Sequence, residues 1–414
     1  MHQGMTRRTV LAGGVAIASG GLLGRPGKAD NGIIRIGVLT DMGGTYSALT
    51  GPGSVVGAQL AIEDFTKQHP DIAVELVSAD LQLKPDVALA IAGDWFDSKG
   101  VDLLTDVPLS SAAIAIGEMA KAKDKLAIYT GAASSALTGQ HCGPNHLHWA
   151  YDTWGIPHSI VQTVVKGGGD TWFFITADYA FGQQLARDSA SFVTAAGGKV
   201  LGEARHPFPG TTDFSAFLVE AKASGAKVIG FANGGTDSEN CIKQAAEFGF
   251  VEQGIKVVGV GLLINDIQGI GLDAARGVLL AEPYYWNLND QTRAFGRRFA
   301  ARMSTAAMPN SAQGGQYSAI SHYLKAVAAM GVARAKASGR AVIEQMRAIP
   351  IEDAIFGKSV IRPDGRVIHN VYLFEAKSPK ESKEKWDLLT LKATVPAEQA
   401  FRPMSEGGCP MVHV

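Results

Sequence analysis

The stretch Ile33-Ile34-Arg35-Ile36-Gly37-Val38-Leu39, followed after a loop by residues 54–67, sets the pattern that decides the fold. The first run is aliphatic and β-branched and has the length of a β-strand. The second run predicts a helix, because its apolar residues recur at helical spacing. These apolar residues are Val55, Ala58, Leu60, Ala61, Ile62 and Phe65. A strand followed directly by a helix is the first half of a parallel β-α-β unit.

The same alternation recurs along most of the chain. Strands are predicted at residues 73–79, 101–104 and 126–129, and helices at 85–96 and 112–121. After a pause over residues 131–157, strands follow at 171–176, 199–204, 228–232 and 256–260, and helices at 158–166, 181–195, 213–223 and 238–248. Helices at 292–303 and 318–337 and a strand at 367–374 complete the pattern. It predicts two α/β lobes of similar build, with parallel strands and right-handed crossovers.

The composition excludes several classes of protein. Of 414 residues, 46% are hydrophobic and 19% are charged, so the chain can form two or three domains with full cores and is not disordered. There are 38 Lys and Arg against 39 Asp and Glu, so no basic excess is present and no nucleic-acid partner is expected. Glycine is abundant, at 49 residues, about 12% against a usual ~7%. This excess suits an α/β protein with many strand-to-helix loops.

Residues 1–30 have the layout of a twin-arginine export signal. Arg7-Arg8 comes directly before a weakly apolar run rich in Ala and Gly, and a basic stretch follows that run. A membrane anchor is the alternative, but the run is too short and too rich in glycine to span a bilayer. No cysteine precedes Cys142, so no lipid-anchored N-terminus is expected, and no later run of about 18 apolar residues occurs. We expect an exported, soluble protein of the periplasm.

An oxidising compartment favours a disulfide between two of the three cysteines. Cys142 and Cys409 both lie in loops that contain Gly and Pro, whereas Cys241 lies in a helical stretch typical of a buried thiol. We predict a Cys142–Cys409 bridge that ties the C-terminal tail to the body of the protein.

Small residues and hydroxyl groups follow several predicted strands. Two of these loops contain the serine pairs Ser110-Ser111 and Ser134-Ser135. In open parallel sheets, ligands bind beyond the carboxyl ends of the strands, where free backbone N–H groups hold an anion without a counter-charge. A single serine in such a loop is usually a helix cap. Two loops on neighbouring strands favour an anion site as strongly as they favour capping.

Catalytic motifs are scarce. The sequence has no Gly-x-Ser-x-Gly elbow, no Walker-type loop and no His-Glu-x-x-His, so neither an enzyme nor a cofactor is expected. The His- and Cys-containing stretch 141–148 has spacing too irregular for a metal site, and no metal is expected there. Trp149, Tyr151 and Trp154 form an aromatic group that suits either a ligand wall or core packing.

Six motifs occur in an order that is quite specific: IGVLTD (36–41), GPG (51–53), GAQLAIED (57–64), DYAFG (178–182), TDFS (212–215) and KQAAEFG (243–249). Together they resemble the substrate-binding proteins of ABC transporters of the branched-chain amino-acid type, which have the type I periplasmic binding protein fold. The resemblance runs from about residue 33 to past residue 370.

This resemblance implies an α/β fold of two Rossmann-like lobes with parallel central sheets, joined by three crossover segments and closing on a small ligand. It implies an N-lobe at residues 31–150 and about 280–355, a C-lobe at 151–279 and about 356–400, and a tail at 401–414. A monomer that serves a membrane-embedded ABC permease is the implied assembly.

The resemblance also implies a binding site between the lobes. The N-lobe loops would hold a ligand carboxylate, the first loop would line the side-chain pocket, and the C-lobe would close over the ligand. The candidate residues are Tyr46, Leu49, Ser110, Ser111, Ala132, Ser134, Trp149, Tyr151, Asp152, Tyr179, Phe181, Asn233, Thr236, Asp237 and Gly261.

The sequence departs from the amino-acid binders at two positions. Their C-lobe tyrosine is replaced by Asn233-Gly234-Gly235, and the segment that should carry an acidic partner for the ligand ammonium has the sequence GVGLL (259–263). An unpaired ammonium in a dry cleft costs several kcal/mol. We therefore predict an aromatic carboxylate as ligand, such as a benzoate or phenylpropanoid-like acid. Asp237 or Asp152 would have to replace the missing acidic group, and each suits a helix cap equally well.

Three functional hypotheses follow. The first is a non-catalytic receptor for an aromatic acid, with a branched-chain amino acid or small amide as the nearest variant. The second is a ligand-sensing receptor for a signalling partner, and the third is an exported α/β enzyme. The absence of a nucleophile-base constellation argues against an enzyme.

Overall fold

Two parallel β-sheets organise the chain, as a computed structural model describing residues 32–412 shows. The first sheet has five strands in the order β2-β1-β3-β4-β5, and the second has four in the order β7-β6-β8-β9. All pairs within these two sheets are parallel. The α/β fold of two lobes with parallel sheets is thus confirmed. The export signal predicted at residues 1–30 lies outside the described residues.

The strands are β1 (Ile33–Thr40), β2 (Ala73–Asp80), β3 (Leu103–Asp106), β4 (Leu126–Tyr129), β5 (His146–His148), β6 (Thr171–Ala177), β7 (Lys199–His206), β8 (Val228–Ala232), β9 (Lys256–Gly259), β10 (Leu279–Glu282), β11 (Ile351–Asp353), β12 (Gly357–Ile361), β13 (Val367–Ile368), β14 (Val371–Ala376) and β15 (Leu389–Val395). The helices are α1 (Gly51–Gln68), α2 (Pro85–Asp97), α3 (Ser110–Lys123), α4 (Gly155–Lys166), α5 (Ala180–Ala195), α6 (Ser215–Ala223), α7 (Thr236–Glu247), α8 (Ile264–Ile270), α9 (Leu272–Ala275), α10 (Asp290–Ala300), α11 (Ser311–Met330), α12 (Val332–Ala337), α13 (Gly339–Ala348) and α14 (Ala397–Ala400).

Most predicted elements are present, with shifted ends. The strand predicted at 101–104 is β3, two residues later, and the helix predicted at 318–337 is divided into α11 and α12 at Gly331. Gly331 has a φ of 85° and a ψ of 143°, a backbone conformation that is essentially restricted to glycine and that ends α11. The strand predicted at 367–374 is divided into β13 and β14, and the pause over residues 131–157 contains β5.

Two small antiparallel sheets complete the fold. Strand β14 lies between β10 and β15, and β12 lies between β11 and β13. The chain crosses from the first sheet toward the second at residues 149–154, returns at 283–289, and crosses again at 369–370. The lobe limits stay a prediction; β11 and β12 pair across the limit expected near residue 355.

Glycine at the start of α1 allows close packing against α11. A Cβ built on Gly57 would lie 2.5 Å from the Gln313 carbonyl oxygen, so only glycine permits this approach. Gly53 and Gly57 are thus accounted for by packing against Gln313 of α11, whereas Gly51 has a φ of 47° and lies against the Asp41 carbonyl.

The predicted disulfide is confirmed. Cys142 and Cys409 are bonded, with their Cα atoms 5.6 Å apart, and both are buried. Cys241 is a buried free thiol, as its helical position predicts. Among residues 32–412, no helix is both long enough and apolar enough to cross a membrane.

Candidate functional site

A cavity lies where the loops after the strands of the two parallel sheets meet. Its walls are aromatic, aliphatic and glycine residues, with one threonine. They are Tyr46, Leu49, Thr50, Pro108, Gly131, Ala133, Tyr151, Ile156, Tyr179, Phe181, Gly234, Gly261 and Leu263. All but Tyr179 are buried, so this space is largely withdrawn from solvent.

The cavity is narrow. The space between its atoms amounts to about 400 Å³, including solvent at its mouth, and little of it is wide enough to admit a water molecule. A ligand that enters this space without moving the walls must therefore be thin in at least one dimension.

The loop after β1 is held in place by one carboxylate. Asp41 is buried and accepts hydrogen bonds from the backbone N–H groups of Gly44, at 2.7 Å, and Tyr46, at 2.8 Å. The loop therefore presents the Tyr46 ring at a fixed position on the cavity wall.

The second lobe contributes an aromatic wall at the start of α5. Tyr179 directly precedes this helix and Phe181 lies in its first turn. The Tyr46 and Phe181 rings meet edge to face, with centroids 6.3 Å apart, and the Tyr46 and Tyr179 hydroxyl oxygens are 2.5 Å apart. Burial raises the pKa of both tyrosines well above the usual value, so both hydroxyls remain protonated.

Phe208 completes this aromatic group and was not predicted from the sequence. Its ring stacks on Tyr179, with centroids 4.1 Å apart, and on Tyr46, with centroids 5.5 Å apart. The aromatic residue after strand β7, at a carboxyl strand end, was the available signal.

A second contact joins the lobes on the side of the first crossover. The buried Asp188 carboxylate of α5 accepts hydrogen bonds from the hydroxyls of Ser135, at 2.8 Å, and Thr153, at 2.6 Å. Burial raises the pKa of Asp188, although these hydroxyls oppose the shift. Ser135 belongs to a 3₁₀ turn after β4, so the turn, the crossover and α5 are tied to one group.

A buried acidic group at the end of β3 lies next to the lining residue Gly131, since a Cβ built on Gly131 would be 2.6 Å from Oδ1 of Asp106. Asp106 is fully buried and accepts a hydrogen bond from the Thr130 hydroxyl at 3.1 Å. Burial raises its pKa to about 6. Asp106 and Val107 have positive φ values, 81° and 51°, which are uncommon for residues other than glycine.

Six of the fifteen predicted residues line this cavity. They are Tyr46, Leu49, Tyr151, Tyr179, Phe181 and Gly261. Neighbours in the same loops that the candidate set omitted also line it: Thr50, Pro108, Gly131, Ala133, Gly234 and Leu263. Ile156, in the first turn of α4, is a further lining residue. All of these residues follow the carboxyl end of a strand or lie in or directly after the first crossover. That position in the sequence is the signal that could have identified them.

The predicted carboxylate anchors lie next to the wall. Ser110 is buried, and its hydroxyl oxygen accepts a hydrogen bond from the Ser134 N–H at 3.3 Å. The Ser134 hydroxyl caps the following 3₁₀ turn by accepting from the Ala136 N–H. Ser111 lies half-buried in the first turn of α3, and the Ala132 carbonyl accepts from His148 Nε2 at 2.8 Å.

The two acidic candidates for an ammonium differ in their surroundings. Asp152 pairs with the buried Arg366, at 3.4 Å, and accepts from the Gly155 N–H at the start of α4. Burial alone would raise the pKa of Asp152. The positive charge of Arg366, together with weaker contacts, outweighs burial, so that the pKa of Asp152 is lowered. Asp237 is buried in the first turn of α7, and its Oδ2 has no hydrogen-bond partner among the described residues. Burial raises its pKa to about 7.

The remaining candidates do not line the cavity. Trp149 is fully buried and donates from Nε1 to the Ser318 hydroxyl at 2.9 Å, which is core packing. Asn233 is buried and accepts from the Ser238 hydroxyl at 2.7 Å. Thr236 is exposed at the start of α7 and donates its N–H to the Thr45 carbonyl at 3.2 Å.

No group of metal-ligating side chains occurs within residues 32–412. The two buried histidines of the stretch 141–148 are engaged elsewhere, since Nε2 of His146 lies 2.9 Å from the Leu137 carbonyl oxygen and Nε2 of His148 bonds Ala132.

Comparison with known proteins identifies the class that this fold and site define. A family model described as periplasmic binding protein matches residues 33–383. The chain belongs to this family, and its fold is the type I periplasmic binding protein fold. No match to a curated protein is found.

Solved structures agree with this assignment. A periplasmic binding protein from Burkholderia mallei is 40% identical, with a TM-score of 0.86 over 92% of this chain and 99% of that one. A branched chain amino acid ABC transporter periplasmic ligand-binding protein from Burkholderia xenovorans is 41% identical, with a TM-score of 0.79 over 91% of this chain and 99% of that one. These relatives are solute-binding proteins.

A more distant likeness concerns the fold alone. A solute binding protein of an ABC transporter from R. palustris, in complex with benzoate, is 20% identical, with a TM-score of 0.77 over 92% of this chain and 100% of that one.

Proposed function

We propose that this protein is a monomeric periplasmic receptor, without enzymatic activity, that binds a small aromatic carboxylate between its lobes and delivers it to an ABC permease. The observation that carries the proposal is the cavity wall. It combines three tyrosines and a phenylalanine with glycine and aliphatic residues, and among the described residues no carboxylate lines it. Such a wall suits a flat ring and offers no carboxylate to pair with an ammonium group.

The ring of the ligand would lie against Tyr46, Phe181 and Tyr151. The narrowness of the cavity supports this assignment, because an aromatic ring is about 3.5–4 Å thick, the contact distance between carbon atoms. The three tyrosine hydroxyls supply hydrogen-bonding groups for a ring substituent such as a phenol.

The carboxylate would lie toward the start of α3. Pro108, Gly131 and Ala133 line the cavity there, and the first N–H groups of a helix have no partner within it. The hydroxyls of Ser110, Ser111 and Ser134 would donate further hydrogen bonds to the carboxylate, beside these N–H groups. The contacts described above for Ser110 and Ser134 are also compatible with capping alone.

A branched-chain amino acid is the second candidate, favoured by the name of the B. xenovorans relative. It would require an acidic group for its ammonium. Asp152 is paired with Arg366, so Asp237 would have to serve, and it lies outside the lining residues. The polar balance of the cavity therefore favours an acid without an ammonium.

The decisive experiment is a thermal-shift and calorimetric screen with benzoate, 4-hydroxybenzoate, hydrocinnamate, leucine and valine. A ligand at 100 times its Kd adds about 2.7 kcal/mol to the free energy of unfolding. We expect stabilisation by at least one aromatic acid and none by leucine or valine. Stabilisation by leucine or valine alone would contradict the proposal.

The serine anchor is tested separately. If the Ser134 hydroxyl binds the carboxylate, Ser134→Ala should weaken binding by about 1.5–3 kcal/mol, the range of a hydrogen bond to a charged group. An unchanged affinity would leave the carboxylate to backbone N–H groups only.

A further inference from the structure

The C-terminal tail runs across the junction of the two lobes. We call residues 397–409 the strap. Its far end is joined to the first lobe through the Cys142–Cys409 disulfide. Between its ends, the Arg402 guanidinium donates to the Ser135 carbonyl at 2.9 Å, in the 3₁₀ turn after β4.

The strap covers the side chains that tie the first crossover to residues 366–369. The Phe401 ring lies 4.0 Å from the Arg366 guanidinium carbon and meets the His369 ring edge to face at 5.1 Å. Arg366 donates to the Ala150 carbonyl at 2.5 Å, and Nε2 of His369 lies 3.1 Å from the Trp149 carbonyl oxygen.

The strap also abuts the second lobe. A Cβ built on Gly155, the first residue of α4, would lie 2.7 Å from the Ala400 carbonyl oxygen and 3.3 Å from the Phe401 ring. Arg362 donates to the Arg402 carbonyl at 2.9 Å, which fixes the middle of the strap to the segment before β13. Both lobes, together with the first and third crossovers, thus lie against one short segment.

We infer that the strap restrains the hinge, limiting rotation of the lobes about residues 149–154 and 362–370. Hinge motion concentrates its φ/ψ changes in a few connecting residues. Here Phe401 of the strap covers those residues. The end of the strap is held by the disulfide, whose two cysteines are 267 residues apart in the sequence. Removing the disulfide that anchors the strap should make local opening of the backbone at the crossovers more frequent, both with and without ligand.

Hydrogen exchange measured by mass spectrometry tests this inference without any ligand, so it is independent of the proposed function. In Cys142→Ser/Cys409→Ser, amides at 149–154 and 362–370 should exchange about tenfold faster than in the unaltered protein, while those of β8 should not change. An increase confined to residues 397–412, or an equal increase in β8, would overturn the inference.

A second variant keeps the disulfide. Arg402→Gln removes the guanidinium contact to Ser135 and should accelerate exchange at 149–154, by less than the cysteine pair does. Glu406→Gln, an exposed position in the strap, is the matched control and should leave exchange unchanged. Equal effects of Arg402→Gln and Glu406→Gln would also overturn the inference.

Discussion

The hydroxyl oxygens of Tyr46 and Tyr179 lie 2.5 Å apart and join the loop after β1 to the loop after β6. Phe208 stacks on both rings, so the link is a hydrogen bond enclosed by an aromatic group. Both tyrosines also line the cavity. Contact between the lobes and contact with a ligand therefore depend on the same two side chains.

Removing one hydroxyl should weaken the closed arrangement. Tyr179→Phe leaves the Tyr46 hydroxyl without this partner, and we expect affinity for the ligand found in the screen to fall by about 1 kcal/mol, roughly fivefold. Titration calorimetry measures the change. Tyr129→Phe is the control, because the buried Tyr129 hydroxyl has no hydrogen-bond partner among the described residues. An equal loss in both variants would contradict the role of the link.

Gly235 controls the approach of the α7 loop to the first lobe. Its φ is 61°, and a Cβ built on it would lie within 3.0 Å of the Thr45 carbonyl oxygen. We expect Gly235→Ala to lower ligand affinity by about tenfold or more, since the loops must separate to relieve an overlap of this kind.

The control for this substitution is Gly277→Ala. Gly277 has a similar φ, 78°, but nothing lies within 4 Å of its Cβ position. It should lose stability from backbone strain and keep its ligand affinity. A loss of affinity in both variants would assign the effect to strain rather than to the overlap with Thr45.

Asp237 should make the protein less stable as the pH rises. Its pKa is raised to about 7 by burial, against about 4 in an unfolded chain. The folded state therefore keeps a proton that the unfolded state loses, and this contribution to stability disappears as the pH rises from about 4 through 7. Nδ1 of His206 lies 3.9 Å from Oδ2 of Asp237, but burial lowers the pKa of that histidine.

The corresponding variant is Asp237→Asn. Relative to the unaltered protein, its free energy of unfolding should rise by about 3 kcal/mol between pH 4.5 and pH 8, as measured by urea denaturation. The control is Asp273→Asn, which makes the same change at an exposed position. A difference that does not vary with pH would show that Asp237 does not titrate in this range.

The Asp152–Arg366 pair should be important for stability. Both side chains are almost fully buried, so Asp152→Asn leaves a buried guanidinium without its counter-charge. We expect a loss of about 3 kcal/mol in the free energy of unfolding. Asp290→Asn breaks an ion pair of the exposed Asp290 with Arg293 and should cost less than about 1 kcal/mol. Similar losses in the two variants would argue against a buried pair of this strength.

Local sequence pattern accounts for the elements that can be recognised without their neighbours. Strand β4 (Leu126–Tyr129) and strand β8 (Val228–Ala232) begin and end at the predicted residues, because both are short apolar runs bounded by polar residues. Strand β5 was missed because three residues are too few to show a strand pattern. His146–His148 becomes a strand by pairing with β4 on one side and with Arg366 on the other.

The sequence by itself determined the fold class, the family and the disulfide, since these follow from hydrophobic periodicity, motif order and the loop positions of Cys142 and Cys409. Only the tertiary structure decided which side chains face the cavity. Trp149 and Tyr151 are two residues apart, yet Trp149 packs in the core and Tyr151 lines the cavity. Their roles depend on contacts with residues that are not their neighbours in the chain. Trp149 donates to Ser318, whereas the Tyr151 hydroxyl donates to the carbonyl of Gly131 on the cavity wall, at 3.3 Å.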